Sequence, residues 1–255
     1  MTLLLANEHK RNIGFATTLA ISEVTGLFDL LKDRPIPEYA YQMRQALPAI
    51  GETYSGAAEI LAQSYYDESR SLAPALTTAY AAKVAVYNPV PDLDSSIGYS
   101  IARLTKGGDQ SKVLGMLAGS MQRAVANADR QTISFNIAED PDGTMYERIP
   151  QQDACTFCLT MAAVAELQTE NFFTKYHDYC RCVTMPVFTG QSSTKLPIYG
   201  QVNEAYDLAG KQLQAERQAV GYNSMRSRTA AKKFPELTLT TENYLRKMRQ
   251  TTGWK

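Results

Sequence analysis

All four cysteines of this 255-residue chain, and one of its two histidines, fall inside one short window. It reads Cys155-Thr-Phe-Cys158, then eighteen residues, then His177-Asp-Tyr-Cys180-Arg-Cys182. Core cysteines scatter through a sequence. These are gathered, so the fold is expected to bring two short segments to one point. Two cysteines with two residues between them can aim both sulfurs at that point from a tight turn or the first turn of a helix, and a second ligand pair further on can close a tetrahedron around zinc. Cys155, Cys158, His177, Cys180 and Cys182 are five candidates for four positions. The spacing favours Cys155, Cys158 and His177 with one cysteine of the Cys-Arg-Cys pair, and leaves open which one.

Three other chemistries draw on the same residues. Disulfide pairing of the four cysteines is allowed if the mature protein leaves the cell, but it gives His177 no role. A thiol-imidazole nucleophilic site needs a third group to orient the histidine, and none is convincing here. Four buried thiols without any ligand is the plainest arrangement. A structural metal, zinc, is the expectation that uses the whole window.

A hydrophobic content of 44% over this length can bury a real core, so a metal is expected to order a local unit and not the whole protein. Lys plus Arg equals Asp plus Glu at 26 each, which leaves only the distribution of charge to interpret. No run of eighteen apolar residues occurs, so no bilayer span is expected. The opening Met-Thr-Leu-Leu-Leu-Ala lacks the basic region and apolar length of an export signal, and synthesis in the cytoplasm without export is expected.

Helical periodicity dominates the first half. Ile13, Ala16, Ala20, Val24, Leu27, Phe28 and Leu31 recur every three or four residues between Asn7 and Leu31, with Pro35 and Pro37 ending the stretch. Tyr39, Met43, Ala46, Ile50, Tyr54, Ala57, Leu61 and Tyr65 repeat the pattern, with Pro48 expected to kink or divide it. The short link between the two favours an antiparallel pair. Alanine-rich Pro74 to Tyr87 reads as a third helix, stopped by Asn88-Pro89-Val90-Pro91. Asp94 or Ser95 then caps a short helix reaching Gly107-Gly108. Asp109 caps the next, whose stripe of Val113, Leu117, Met121, Ala124 and Ala128 runs toward Thr132.

The character changes after Phe135. Asp140-Pro141-Asp142-Gly143 is a turn signal, and Met145 to Ile149 alternates like a short strand. Leu159 to Leu167 reads as a brief helix and Val183 to Phe188 as a strand. The expected architecture is mainly α: a long-helix body over 1–136, a small zinc-stabilised α+β unit over 137–190, and a C-terminal helix with a basic tail over 191–255. In that last part Val202, Tyr206, Ala209, Leu213 and Val220 mark an amphipathic helix.

From Lys211 onward ten basic residues face three acidic ones, a net of plus seven in a chain whose total is zero. Arg226, Arg228, Lys232, Lys233, Arg246, Lys247 and Arg249 could follow a phosphate backbone without reading sequence, or grip an acidic protein surface. A solvated terminus is the plain alternative. The 15 tyrosines fall largely on helix stripes, which favours packing over base stacking. His9 has no ligand-type neighbour in sequence and reads as a surface residue.

Asp153-x-Cys155-x-x-Cys158, followed by His177-x-x-Cys180-Arg-Cys182 and by Pro186 in an apolar strand, resembles the C-terminal signature of phage Mu F-like minor head proteins, with Asp178 where that family often has proline. The resemblance covers about 50 residues; the helical flanks match in kind only. It implies a structural protein of the virion, in few copies inside the capsid near the portal, made in the host cytoplasm. Its partners would be the portal protein and major capsid or scaffold proteins, and in some cases phage DNA. Enzymatic fusions occur in that family, but this chain shows no Gly-rich phosphate loop, Gly-x-Ser-x-Gly elbow or His-Glu-x-x-His helix. No enzyme is expected. A zinc-containing nucleic-acid-binding protein is the alternative.

Overall fold

The computed structural model describes residues 2–150, 154–164, 180, 182–192, 196–222, 227–238 and 240–253. The chain is mainly helical with one two-stranded sheet, and it divides into two compact units: residues 1–149 with 167–193, and residues 150–166 with 194–255.

The first unit is built on α1 (Thr2–Leu31), α2 (Ile36–Ser71), α3 (Val90–Thr105) and α4 (Gln110–Glu139). The stripes legible in sequence are the faces that meet. Val24, Phe28 and Leu31 of α1, Tyr39, Met43 and Leu47 of α2, Leu93 and Ile97 of α3, and Leu117, Met121 and Val125 of α4 form one apolar core. Phe28 and Tyr39 meet edge to face at 6.4 Å, and the Tyr39 hydroxyl donates to Ser100 Oγ at 3.1 Å. By length and composition α1 would also suit a membrane, yet its stripe lies in this core while Leu4, Phe15 and Leu30 on its other side are exposed.

Two helix boundaries differ from expectation. α2 runs through Pro48 without a break, because the ring removes a single amide donor while neighbouring Leu47 and Met43 stay fully packed. α3 begins at Val90, not at Asp94, with Pro89 at its N-cap and Pro91 in the first turn, where the missing amide has no helical partner to lose. Asp109 does cap α4, accepting the Ser111 amide at 2.9 Å, and the helix continues past Thr132 to Glu139.

The largest departure is the stretch expected as a third helix. Pro74 to Tyr87 is irregular chain, and its backbone groups are met by side chains instead of by one another. Asp142 accepts the amides of Thr77 and Thr78 at 3.0 and 2.9 Å, Asp67 that of Ala82 at 2.8 Å, and Glu59 that of Tyr87 at 2.6 Å. Asn136 accepts the Lys83 amide and donates to the Lys83 carbonyl, both at 2.7 Å. Alanine's helix preference is worth at most about 0.7 kcal/mol per residue. Hydrogen bonds to charged groups are worth about 1.5–3 kcal/mol each. Tertiary partners therefore outweigh local propensity.

The turn after α4 anchors this arrangement. The Arg70 guanidinium donates to Asp140 Oδ2 at 2.7 Å, to Asp142 Oδ2 at 3.1 Å and to the Thr78 carbonyl at 2.8 Å. The turn leads into β1 (Gly143–Ile149), which pairs antiparallel with β2 (Val183–Phe188), with Glu147 opposite Met185 and Ile149 opposite Val183. Ile149, Val183, Met185 and Phe188 join Tyr65, Tyr66 and Ile133 in a second apolar cluster.

In the second unit α5 (Thr156–Val164), α6 (Pro197–Ala219) and α8 (Thr241–Thr252) pack through Ala162 and Ala163, Val202 and Ala209, and Leu245 and Met248. Tyr206 and Tyr244 stack at 4.8 Å, over Gly210, where a Cβ would come within 3.0 Å of the Tyr244 ring. Thr240 caps α8 by accepting the Asn243 amide, and Gly253 closes it in the left-handed conformation with φ of 71°. The short α7 (Ser227–Lys233) lies between α6 and α8 in the chain. The expected C-terminal amphipathic helix is α6, and two further helices, α7 and α8, follow it among the described residues.

Candidate metal centre

Cys182 directly precedes β2, so the strand pairing that fixes Val183 against Ile149 also fixes where this cysteine leaves the sheet. Cys180 lies two residues earlier. Both are held from α4: the Arg130 Nη2 donates to the Cys182 carbonyl at 3.0 Å and to the Cys180 carbonyl at 3.4 Å, and Gln122 Nε2 donates to the Cys180 carbonyl at 3.4 Å. The same Arg130 nitrogen lies 3.6 Å from Cys180 Sγ. Arg130 and Gln122 are themselves buried.

Cys155 and Cys158 flank the start of α5. Cys155 precedes the helix and its carbonyl accepts the Leu159 amide at 3.1 Å, while Cys158 falls in the first turn.

The sulfurs of Cys180 and Cys182, both in the first unit, lie within 4.8 Å of one another, and both residues are buried. All four cysteines are free thiols. A tetrahedral zinc with Zn–S bonds of about 2.3 Å places its sulfurs about 3.8 Å apart, so these two need to close by about 1 Å or less around an ion. Soft thiolates in a small tetrahedral cage are the donor set for zinc and for iron–sulfur chemistry, not for calcium or magnesium. The cluster could therefore hold a metal ion.

Of the five residues singled out by spacing, the first unit brings Cys180 and Cys182 together, while Cys155, half-buried, and Cys158, buried, stand at the start of α5 in the second. His177 lies outside the described residues, as does Arg226 of the basic set. Arg228 is placed only as part of α7. The other basic residues are spread over several tasks: Lys233 sits 5.4 Å from the Phe234 ring centre, Arg246 donates to the Glu236 carbonyl, Lys247 pairs with Glu216, and Lys232 and Arg249 are exposed.

One side chain read as surface is the reverse. His9 is 3% exposed, its Nε2 lies 2.6 Å from Asp129 Oδ1, and its ring stacks on Tyr65 at 4.1 Å with the planes 4° apart. Position 9 continues the inward stripe of Ala6, Ile13 and Ala16 by steps of three and four, and that periodicity was the signal available. Burial holds the Tyr65 phenol well above the ordinary tyrosine range. Arg130 and Gln122 carry no such signal, since nothing in the local sequence of α4 marks them as partners of a segment some fifty positions away.

No curated protein and no solved structure matches this chain. A family model described as VG15 protein matches residues 4–209, a span that takes in the helical body, the sheet and both cysteine pairs. The chain belongs to the VG15 protein family.

Proposed function

We propose that this protein is a structural component of a tailed-phage head, a minor capsid protein placed near the portal, in which a zinc ion orders the cysteine segments and no catalysis takes place. The observation that carries the reading is the closeness of the Cys180 and Cys182 sulfurs, since these residues belong, with Cys155 and Cys158, to the signature that resembles Mu F-like minor head proteins. The long-helix body supports it in kind. Zinc would fix Cys155–Cys158 and Cys180–Cys182, segments too short to hold one geometry alone, with Cys155 or His177 completing the tetrahedron. Structural zinc in small sites is worth on the order of 10 kcal/mol apparent.

Two measurements test the reading together. Elemental analysis of the purified full-length protein is expected to find one zinc per chain, and mass spectrometry of purified phage heads is expected to find the protein at a few copies per particle. Its absence from heads, or a metal-free protein that does not take up zinc, overturns the corresponding half.

The second reading, a zinc-containing nucleic-acid-binding protein, draws on the exposed Lys232, Lys233 and Arg249 within the basic C-terminal part. Tight DNA binding that falls steeply with salt, in a protein with no affinity for portal rings, would favour it.

A further inference from the structure

Arg130 shares with Arg148 the place of largest fully buried side chain among the described residues, and a guanidinium is retained in a protein interior only where acceptors or negative charge compensate it. Part of that compensation is visible. A single guanidinium nitrogen reaches the carbonyls of Cys180 and Cys182, at 3.4 and 3.0 Å, and the sulfur of Cys180 at 3.6 Å. Gln122, eight residues earlier on the same helix, reaches the Cys180 carbonyl as well. The two carbonyls belong to the two cysteines themselves, so gripping both constrains the backbone from which the two sulfurs depart. An N–H donor at the sulfur places positive charge beside the thiolate.

Resting on the metal reading above, we infer that Arg130 is a positioning residue of the metal centre. It holds Cys180 and Cys182 within reach of one ion by their backbone carbonyls and offsets the negative charge of the thiolate set. A divalent ion bound by more than two thiolates carries net negative charge, and a buried guanidinium beside one of those thiolates offsets one unit of it. Outer partners of this kind commonly change metal affinity about 10- to 100-fold when removed. Lysine would keep the charge and a single donor nitrogen but not the planar guanidinium that carries it here.

The test is a titration of the full-length protein with Zn(II) and with Co(II) against a chromophoric chelator, for the wild type, Arg130→Met and Arg130→Lys. Circular dichroism checks that the metal-free variants are folded. Arg130→Met is expected to bind about 10- to 100-fold more weakly, with the cobalt–thiolate absorption bands displaced, and Arg130→Lys to recover part of the affinity. A merely structural role would leave the cobalt spectrum where it is. Folded Arg130→Met with wild-type affinity and spectrum overturns the inference. If Arg130→Met does not fold, Arg130→Lys is judged by the same criteria. If neither folds, a crystal structure of the zinc-loaded wild type decides, and a guanidinium turned away from both carbonyls overturns the inference. A wild-type protein that binds neither ion shows instead that the metal reading itself has failed, before any variant is compared.

Discussion

His9 Nε2 lies 2.6 Å from Asp129 Oδ1, joining α1 to α4 across 120 positions of sequence with both side chains nearly sealed from solvent. Such a pair contributes mainly through what happens when half of it is removed. His9→Leu leaves the Asp129 carboxylate buried without its donor and is expected to cost about 3–5 kcal/mol. Replacing both residues by Leu removes the orphan as well, so the double variant should be more stable than the sum of the single changes predicts. Urea unfolding of the four proteins measures this, and single effects that add to within about 0.5 kcal/mol would show that the pair is not coupled.

The Asp142 carboxyl is held well below the usual carboxylate range, first by the hydroxyl of Thr77, then by that of Thr78, and also by the amides of both. Its folded pKa being depressed, its contribution to stability is complete above the ordinary carboxylate pKa of about 4 and is lost as pH falls from there through the folded value. The difference in unfolding free energy between the wild type and Asp142→Asn should be constant from pH 7 to about pH 5 and shrink below about pH 4. A difference that grows on acidification would contradict the assignment.

A Cβ at Gly51 would stand 2.3 Å from Leu93 Cδ1, and Leu93 is fully buried between α2, α3 and the rest of the core. Two effects oppose each other in Gly51→Ala. Helix propensity favours alanine by about 1 kcal/mol. Overpacking costs about 1–3 kcal/mol. The net expectation is a lower melting temperature for Gly51→Ala, relieved when Leu93→Ala is added, because the second change removes the methyl that clashes. A Gly51→Ala protein more stable than the wild type would mean that Leu93 has room to turn.

On the proposed metal reading, serine at Cys158, Cys180 or Cys182 removes a sulfur ligand, and each change is expected to abolish stoichiometric zinc under dilute chelator. Cys155→Ser and His177→Ala address the fourth position. One of them should weaken binding strongly and the other little. The readout is zinc content after dialysis, and a set in which Cys158→Ser retains full zinc would remove this cysteine from the centre.

The parts of the fold that were legible share a physical cause. The stripes of α1, α2 and α4 were readable because long amphipathic helices repeat one signal many times, and β2 coincides residue for residue with the apolar run Val183–Phe188. The closeness of Cys180 and Cys182 was readable because ligand spacing is short-range information. Pro74–Tyr87 was not, since its conformation is set by Asp67, Asn136 and Asp142, whose partnership with it has no local trace. His9 was misplaced for a related reason: its partner lies on another helix, and only its step from Ala6 and Ile13 hinted at burial.

A length of chain whose amides are served by foreign side chains is held as a key is held by the pins of a lock. Replacing the outward-facing Val86, which is 87% exposed, changes nothing that fixes the path. Adding or deleting one residue between Thr78 and Lys83 would throw the later amides out of step with Asp67 and Asn136 together. Tolerance along this passage should therefore be generous to substitution and severe toward changes of length, the opposite of what is ordinarily asked of a surface connection.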